Sequence, residues 1–546
     1  MSIYQQFCTE TVDENGQLTA FSLRYPENFN FSYDVVDAIA AAEPARRAMV
    51  WCNTEGEEHT FTFARLSALS NRAANVFLSA GIRKGDRVMV VLKRHYEYWY
   101  VLLALHKIGA VAVPVTHMLT EHDFCYRLDA GGIRAAVCTD EADVRRRLLL
   151  AAGESQQRPL LWTIQSDAAG FENFTRAVDA ASETLTRRDT HVEEPILMYF
   201  TSGTTGYPKA VLHDHSYPLA HIITARYWQQ VEDGGLHFTV AETGWAKAAW
   251  GKLYGQWLCG SAVMVYDFDN FDPKQLTTVI NRYGVTSFCA PPTVYRYLVK
   301  KGMADMPTLH HACTAGEALS AEVFRQFQEK TGLELMEGFG QTESTLITAN
   351  FRGTHSHPGS MGKASPLYHV ELLRDDGSYA GPDELGELVI VPPAEGRQHG
   401  IFTGYHDNDA LYRYVWRGGV YHTGDIARRD AEGYYWFHGR ADDVIKTGGF
   451  RVGPYEVEDV LAAHPAVLEC CVVGVPDALR GQAIKAYVVL TGGYAPSAAL
   501  QKELREYCNS RLAEYKWIRH VELVEELPKT ISGKIRRVEL REEQNS

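Results

Sequence analysis

The chain has 546 residues, 45% of them hydrophobic and 22% charged, and a formal net charge of −14. That length exceeds a single core and calls for two or more domains, with the composition of a folded globular protein rather than a disordered one. An acidic balance without a basic block excludes nucleic acid or an anionic membrane held by the global field, so an anionic substrate has to be met by local cations and N–H groups.

The N-terminus, Met1-Ser-Ile-Tyr-Gln-Gln6, has neither a basic n-region nor an apolar h-region, and no stretch approaches the roughly 18 apolar residues of a membrane helix. The expected location is the cytoplasm, without stable membrane insertion. The ten cysteines show no repeated spacing, and the adjacent Cys470 and Cys471 suit neither an ordinary disulfide nor a Cys-x-x-Cys clip, so reduced core thiols are expected. Tyr25-Pro-Glu-Asn-Phe-Asn30 reads as an extended lead-in packed on the main body.

Leu66, Leu69, Ala73, Phe77 and Leu78 fall at helical spacing and stop at Gly81, after which Arg87 to Leu92 reads as a buried strand. A helix (Tyr96 to Ile108), a strand (Ala110 to Val115) and continued alternation through Val137, Val211, Val263 and Phe288 predict parallel sheets covered by helices.

Ile196 to Phe200 predicts a strand that empties into Thr201-Ser-Gly-Thr-Thr-Gly-Tyr-Pro-Lys209. Gly203 and Gly206 can take positive φ and let N–H groups approach an anion, Thr201, Ser202, Thr204 and Thr205 supply hydroxyls, and Lys209 supplies a positive charge. The P-loop of Ras-type nucleotidases is excluded, because it needs Gly-Lys-Ser/Thr running straight into a helix and Pro208 intervenes here. The order of these residues resembles the signature loop of the adenylate-forming superfamily (acyl-CoA synthetases, luciferases, peptide-synthetase adenylation domains), with Ala210 where a glycine is usual.

Thr243-Gly-Trp-Ala-Lys-Ala-Ala-Trp250 sets two tryptophans among small residues. Core packing is one reading; the resemblance implies another, in which the region of Trp245 lines an acyl pocket. It offers no aspartate to an α-amino group, so an apolar pocket for an uncharged acyl tail is expected.

Thr314-Ala-Gly-Glu-Ala-Leu319 is a small-residue turn, and the resemblance implies that Gly316, Glu317 and Ala318 flank an adenine. In Glu337-Gly-Phe-Gly-Gln-Thr-Glu-Ser344 a hydroxyl and a carboxylate follow two glycines. Standing alone, Glu343 reads as a solvated loop acid, although a single carboxylate is also a typical protein ligand of Mg²⁺. Matched to the family motif, Thr342 contacts phosphate, Glu343 holds magnesium, and Glu337, Gly338 and Phe339 join the nucleotide site. Asp425, at the end of Tyr421-His-Thr-Gly-Asp425, can accept hydrogen bonds from both ribose hydroxyls, and the resemblance adds Arg440.

From Gly439 something new begins. A hairpin around Thr447-Gly-Gly449 leads to a helix opening at Pro454, with Glu456 and Glu458 at its positive end. Strands (Cys470 to Val475, Ile484 to Leu490) flank a turn from Pro476 to Gly481. A helix (Pro496 to Leu512) and the tail Leu527-Pro-Lys-Thr-Ile-Ser-Gly-Lys-Ile-Arg-Arg537 complete a compact α+β domain.

The expected fold is α/β, with a large domain (1–438) of helix-covered, mainly parallel sheets and a small mobile α+β domain (439–546). The resemblance runs from about residue 30 to the C-terminus, is strongest toward medium-chain acyl-CoA synthetases, and implies an ATP-dependent, AMP-forming carboxylic acid–CoA ligase. It implies that Lys534 bridges carboxylate and phosphate oxygens in adenylation. The small domain then turns about Asp442 to present Lys446, Gly448, Gly449 and Arg451 to the thioester step. Gly448 and Gly449 either leave a passage for the thiol or make a tight hairpin turn. ATP, Mg²⁺, coenzyme A and a small carboxylic acid are the implied ligands, and a homo-oligomer and acetylation of Lys534 are compatible with the sequence. Two other readings stay open: a stand-alone adenylating enzyme that loads a separate carrier protein, and an inactive nucleotide-sensing module.

Overall fold

The computed structural model describes residues 3–201, 208–317, 319–530 and 535–542. One sheet has eight strands in the order Gly404–Tyr405, Lys209–Asp214, Pro195–Thr201, Val111–Pro114, Arg87–Val91, Ile133–Cys138, Leu160–Thr163 and Glu172–Asn173. Its pairings are parallel from Pro195–Thr201 outward, and the Lys209 and Gly404 strands close the other edge antiparallel.

A second sheet has thirteen strands. Six of them, Arg47–Asn53, Ala262–Asp267, Leu236–Thr239, Ser287–Ala290, His311–Ala315 and Leu335–Gly340, form a parallel run with Glu58–Thr62 antiparallel at its edge.

The two sheets share one helical core. Along Arg87–Val91, Val88 and Val90 face the core that holds the helices Phe63–Ser79 and Glu97–Ile108, whereas Met89 and Val91 face the outer helices Glu121–Ala130 and Ala142–Glu154. Ala262–Asp267 divides in the same way: Val263 and Val265 point inward, Met264 and Tyr266 outward. Such two-residue alternation between two apolar environments explains why these strands are apolar throughout instead of alternating with polar residues. Each fully buried valine contributes about 1.5–3 kcal/mol. The helix Phe63–Ser79 starts where the Thr62 side chain accepts from the Arg65 N–H.

The helix-covered α/β architecture is as expected. The expectation of mainly parallel strands covers only part of the second sheet, which continues beyond Leu335–Gly340 through six antiparallel strands from Leu346–Ala349 to His369–Leu373. Antiparallel neighbours need only short turns, so this half carries no helix alternation to read. Tyr435–Arg440 belongs to it, with Arg440 opposite Asp425, so the expected division at 438/439 falls inside a strand.

The last sheet begins at Ile445–Thr447 and includes Phe450–Val452, Val467–Asp477, Gly481–Leu490 and Ile518–Val524 around its own core of Val457, Leu461, Val472, Ala486 and Leu504. The strands flanking the expected Pro476 to Gly481 turn run on to Asp477 and start again at Gly481, leaving Leu479 at the tip, 91% exposed. This unit rests on the second sheet through Tyr455 Oη, which donates to Leu319 O at 2.7 Å, and Lys300 Nζ, which donates to Val467 O at 3.1 Å. All ten cysteines are free thiols.

Candidate active site

The strands on either side of the glycine-rich stretch pair antiparallel, with Thr201 directly opposite Lys209. Ser202, Gly203, Thr204, Thr205 and Gly206 lie outside the described residues, as do Ala318 and Lys534. Lys209 opens a strand and not a helix, in keeping with the exclusion of a P-loop.

Three side chains, Tyr405, His213 and Gln341, link the other motif residues to this hairpin and to one another. Tyr405, in the strand beside Lys209–Asp214, donates from its hydroxyl to Glu343 Oε1 at 2.9 Å, and its ring centroid lies 5.8 Å from Lys209 Nζ. His213 is fully buried, and burial holds its imidazole neutral with a pKa of about 4. Its Nε2 donates to the Thr342 carbonyl at 2.7 Å, and since a carbonyl only accepts, the ring proton sits on Nε2. Gln341 reaches the other way: its Nε2 donates to Asp425 Oδ2 at 2.6 Å and to Thr423 O at 2.8 Å, while its Oε1 accepts from Tyr421 Oη at 2.8 Å. Arg440 Nη1 lies 3.2 Å from Asp425 Oδ1 and donates to Thr423 O at 3.0 Å.

The adenine corner expected from Gly316 and Glu317 lies where His311–Ala315 ends beside Leu335–Gly340, Thr314 opposing Glu337 and Ala315 opposing Gly338. Glu317 Oε2 accepts from Thr293 Oγ1 at 2.9 Å. Burial raises the Glu337 carboxyl to about 8, so it is neutral near pH 7, and its Oε1 accepts from the Leu319 N–H at 3.3 Å. Gly338 is required by packing: a Cβ there would lie 2.8 Å from the Trp228 ring. Phe339 stacks on Phe437 with centroids 6.4 Å apart.

Trp245 is half-buried at the N-cap of the helix Ala246–Lys252, and Trp250 at the far end of the stretch lies 6.0 Å from Trp228. The stretch is not free of charge, however. Lys247 Nζ donates to Ala315 O at 3.0 Å and lies 5.9 Å from the Trp250 ring, so a cation stands between Trp250 and the strand end at the expected adenine corner.

The Lys446 to Arg451 face is not gathered with these residues. Gly448 (φ 57°) and Gly449 (φ 84°) make a two-residue hairpin turn with both central residues left-handed, the reason two glycines stand there. Arg451 Nη2 pairs with Asp375 Oδ2 at 2.8 Å, and exposed Phe450 stacks on Tyr515 with centroids 4.5 Å apart. Asp442 lies in the turn between the two units, its carbonyl accepting from Arg541 Nη1 at 2.8 Å.

Sequence reasoning missed Gln341, Tyr405, His213 and Lys247. Gln341 and Lys247 lie inside stretches already singled out, but nothing local says where their side chains reach.

Residues 36–406 match the family described as AMP-binding enzyme, and residues 456–534 match the AMP-binding enzyme C-terminal domain. The human protein named acyl-coenzyme A synthetase ACSM4, mitochondrial, is 39% identical over 532 residues, spanning 95% of this chain and 91% of the human one. Among solved structures, the anthranilate CoA ligase AuaEII in complex with anthranoyl-AMP gives a TM-score of 0.86 at 28% identity, over 95% of this chain and 98% of the ligase. A benzoate CoA ligase from Burkholderia xenovorans LB400 gives 0.82 at 25% identity, over 94% of this chain and 100% of the ligase. The curated mouse and human relatives are named as mitochondrial, which overturns the expected cytoplasmic location. Among the described residues no helix is long and apolar enough to cross a membrane.

Proposed function

Because the chain belongs to the AMP-binding enzyme family, we propose that it is an AMP-forming acyl-CoA synthetase. It joins a carboxylic acid to the α-phosphorus of ATP, releasing pyrophosphate, and then passes the acyl group to the thiol of coenzyme A, releasing AMP. A carboxylate is a poor electrophile with a bad leaving group, and the acyl-AMP carries a good one. The observation that carries this reading is the convergence of Lys209, Thr342, Glu343 and Asp425 through Tyr405, His213 and Gln341, a set that matches the phosphates, metal and ribose of one nucleoside triphosphate.

In the first step Lys209 and the hairpin N–H groups hold the β- and γ-phosphates, Thr342 touches phosphate, Asp425 takes the ribose hydroxyls with Arg440 beside it, and the Gly316–Ala318 turn and Glu337–Phe339 flank the base. Among the described residues Glu343 uses only Oε1 in a hydrogen bond, and no cluster of three or more His, Cys, Asp or Glu forms a closed metal cage. One free carboxylate oxygen suits Mg²⁺, which keeps waters and phosphate oxygens and, when bound, neutralises phosphate charge. Lys534 bridges carboxylate and phosphate oxygens as negative charge builds.

For the second step the unit that follows Arg440 rotates about Asp442 and brings the Lys446–Arg451 hairpin to the acyl-AMP. The exposed Phe450–Tyr515 step, flanked by Lys446 and Arg451, suits the nucleotide end of coenzyme A. The acid is medium-chain, branched or aryl, a choice supported by the tryptophan-rich region and by the likeness to the anthranilate and benzoate ligases. A panel of carboxylic acids assayed for pyrophosphate release, with and without coenzyme A, tests the reading: an acid of these classes should support release. None doing so contradicts it, and a thioester formed only on a carrier protein favours the stand-alone adenylating enzyme.

A further inference from the structure

We propose that Tyr405 is a positioning residue that sets the metal carboxylate and the phosphate lysine against one another. This rests on the proposed function. The side chain, 4% exposed, touches both charges that must meet one triphosphate from two sides: its hydroxyl donates to Glu343 Oε1 at 2.9 Å, and its ring centroid lies 5.8 Å from Lys209 Nζ.

Its own place is over-determined. Gly404–Tyr405 pairs with Leu212 and Val211 of the strand that begins at Lys209, so Tyr405 is tied by main chain to the lysine it faces. Phe402 packs 4.8 Å from its ring, and the Phe402 N–H donates to the Glu343 carbonyl at 2.7 Å, so the loop that carries Tyr405 also grips the backbone of Glu343. A carboxylate oxygen only accepts, so the hydroxyl serves as the donor in this contact. A donor on Oε1 fixes the carboxylate plane and leaves Oε2, without a hydrogen bond among the described residues, for a metal. The ring contributes separately, because a cation over an aromatic face is held by the ring quadrupole.

Replacing only the hydroxyl separates these roles. Tyr405→Phe keeps the ring, its packing on Phe402 and the face seen by Lys209. Equilibrium titration of the purified protein with ATP, with and without Mg²⁺, reads the result. Mg-ATP binding should weaken about tenfold, the loss expected for one charge-assisted hydrogen bond, whereas binding of metal-free ATP should stay within about twofold. In a Glu343→Gln background the same substitution should change Mg-ATP binding by less than about twofold, because the partner it positions is gone. An equal loss with and without the metal, no loss at all, or a full tenfold loss in the Glu343→Gln background overturns the role of Tyr405. A wild-type chain that binds no ATP overturns the functional reading itself.

Discussion

The Gln341 carboxamide joins two motifs: its nitrogen donates to Asp425 Oδ2 at 2.6 Å while its oxygen accepts from the Tyr421 hydroxyl at 2.8 Å. Asp425 is 4% exposed, and a buried carboxylate that loses a donor costs about 1–3 kcal/mol or more. Gln341→Leu should raise KM for ATP about tenfold, because the proposed ribose acid is no longer aimed, and lower the melting temperature by several degrees. Steady-state kinetics with ATP varied will decide, and an unchanged KM contradicts the role.

Glu337 links the adenine corner to pH. Its carboxyl is raised by burial from 4.5 to about 8, and Asp459, across the contact from the small unit, is raised by burial as well. The folded chain therefore keeps a proton on Glu337 that the unfolded chain has lost, so this contribution to stability is whole below about pH 4.5 and is lost as pH rises through about 8. Glu337→Gln has no proton to lose. Its melting temperature relative to wild type should rise between about pH 5 and pH 8, and a constant difference would show that Glu337 titrates normally.

The acyl side should reject amino acids. An unpaired ammonium costs several kcal/mol to bury, and Lys247, half-buried between Trp250 and Ala315, adds like-charge repulsion. Leucine should be at least about 100-fold poorer than 4-methylpentanoate in pyrophosphate release; comparable turnover would contradict the pocket's placement.

Lys534→Ala should cut adenylation by about a hundredfold or more, the scale of losing one transition-state contact to developing charge. Thioester formation from supplied acyl-AMP should persist. Pyrophosphate release at near wild-type rate would mean that another group bridges the carboxylate and phosphate.

Asp442→Pro should have the opposite effect. Among the described residues the Asp442 N–H makes no hydrogen bond, so proline removes none, but it fixes φ near −65°. Adenylation should persist while the thioester half-reaction falls. Equal losses would indicate misfolding, and no loss in either would place the pivot elsewhere.

Local signals were legible because local physics decides them. Two glycines with positive φ mark the hairpin at Thr447, and an apolar stripe ending at Gly81 marks the Phe63–Ser79 helix. The contacts that make the site were not legible. Tyr405 and Glu343 are 62 residues apart, Gln341 and Asp425 84, and His213 and Thr342 129, so only sheet topology brings each pair together. The family motif named Thr342, Glu343 and Asp425, but not the residues that hold them. Lys247 stood in plain sight, yet its neighbour Ala315 comes from a strand that meets it only in the folded chain.

Incubating the purified protein with ATP, Mg²⁺, coenzyme A and a medium-chain or aryl acid, and measuring AMP, pyrophosphate and acyl-CoA together by mass spectrometry, tests the central claim most directly. The account predicts the three products in equal amounts, with acyl-CoA absent when ATP is withheld. AMP and pyrophosphate without acyl-CoA, or acyl-CoA accompanied by ADP and phosphate, would contradict it.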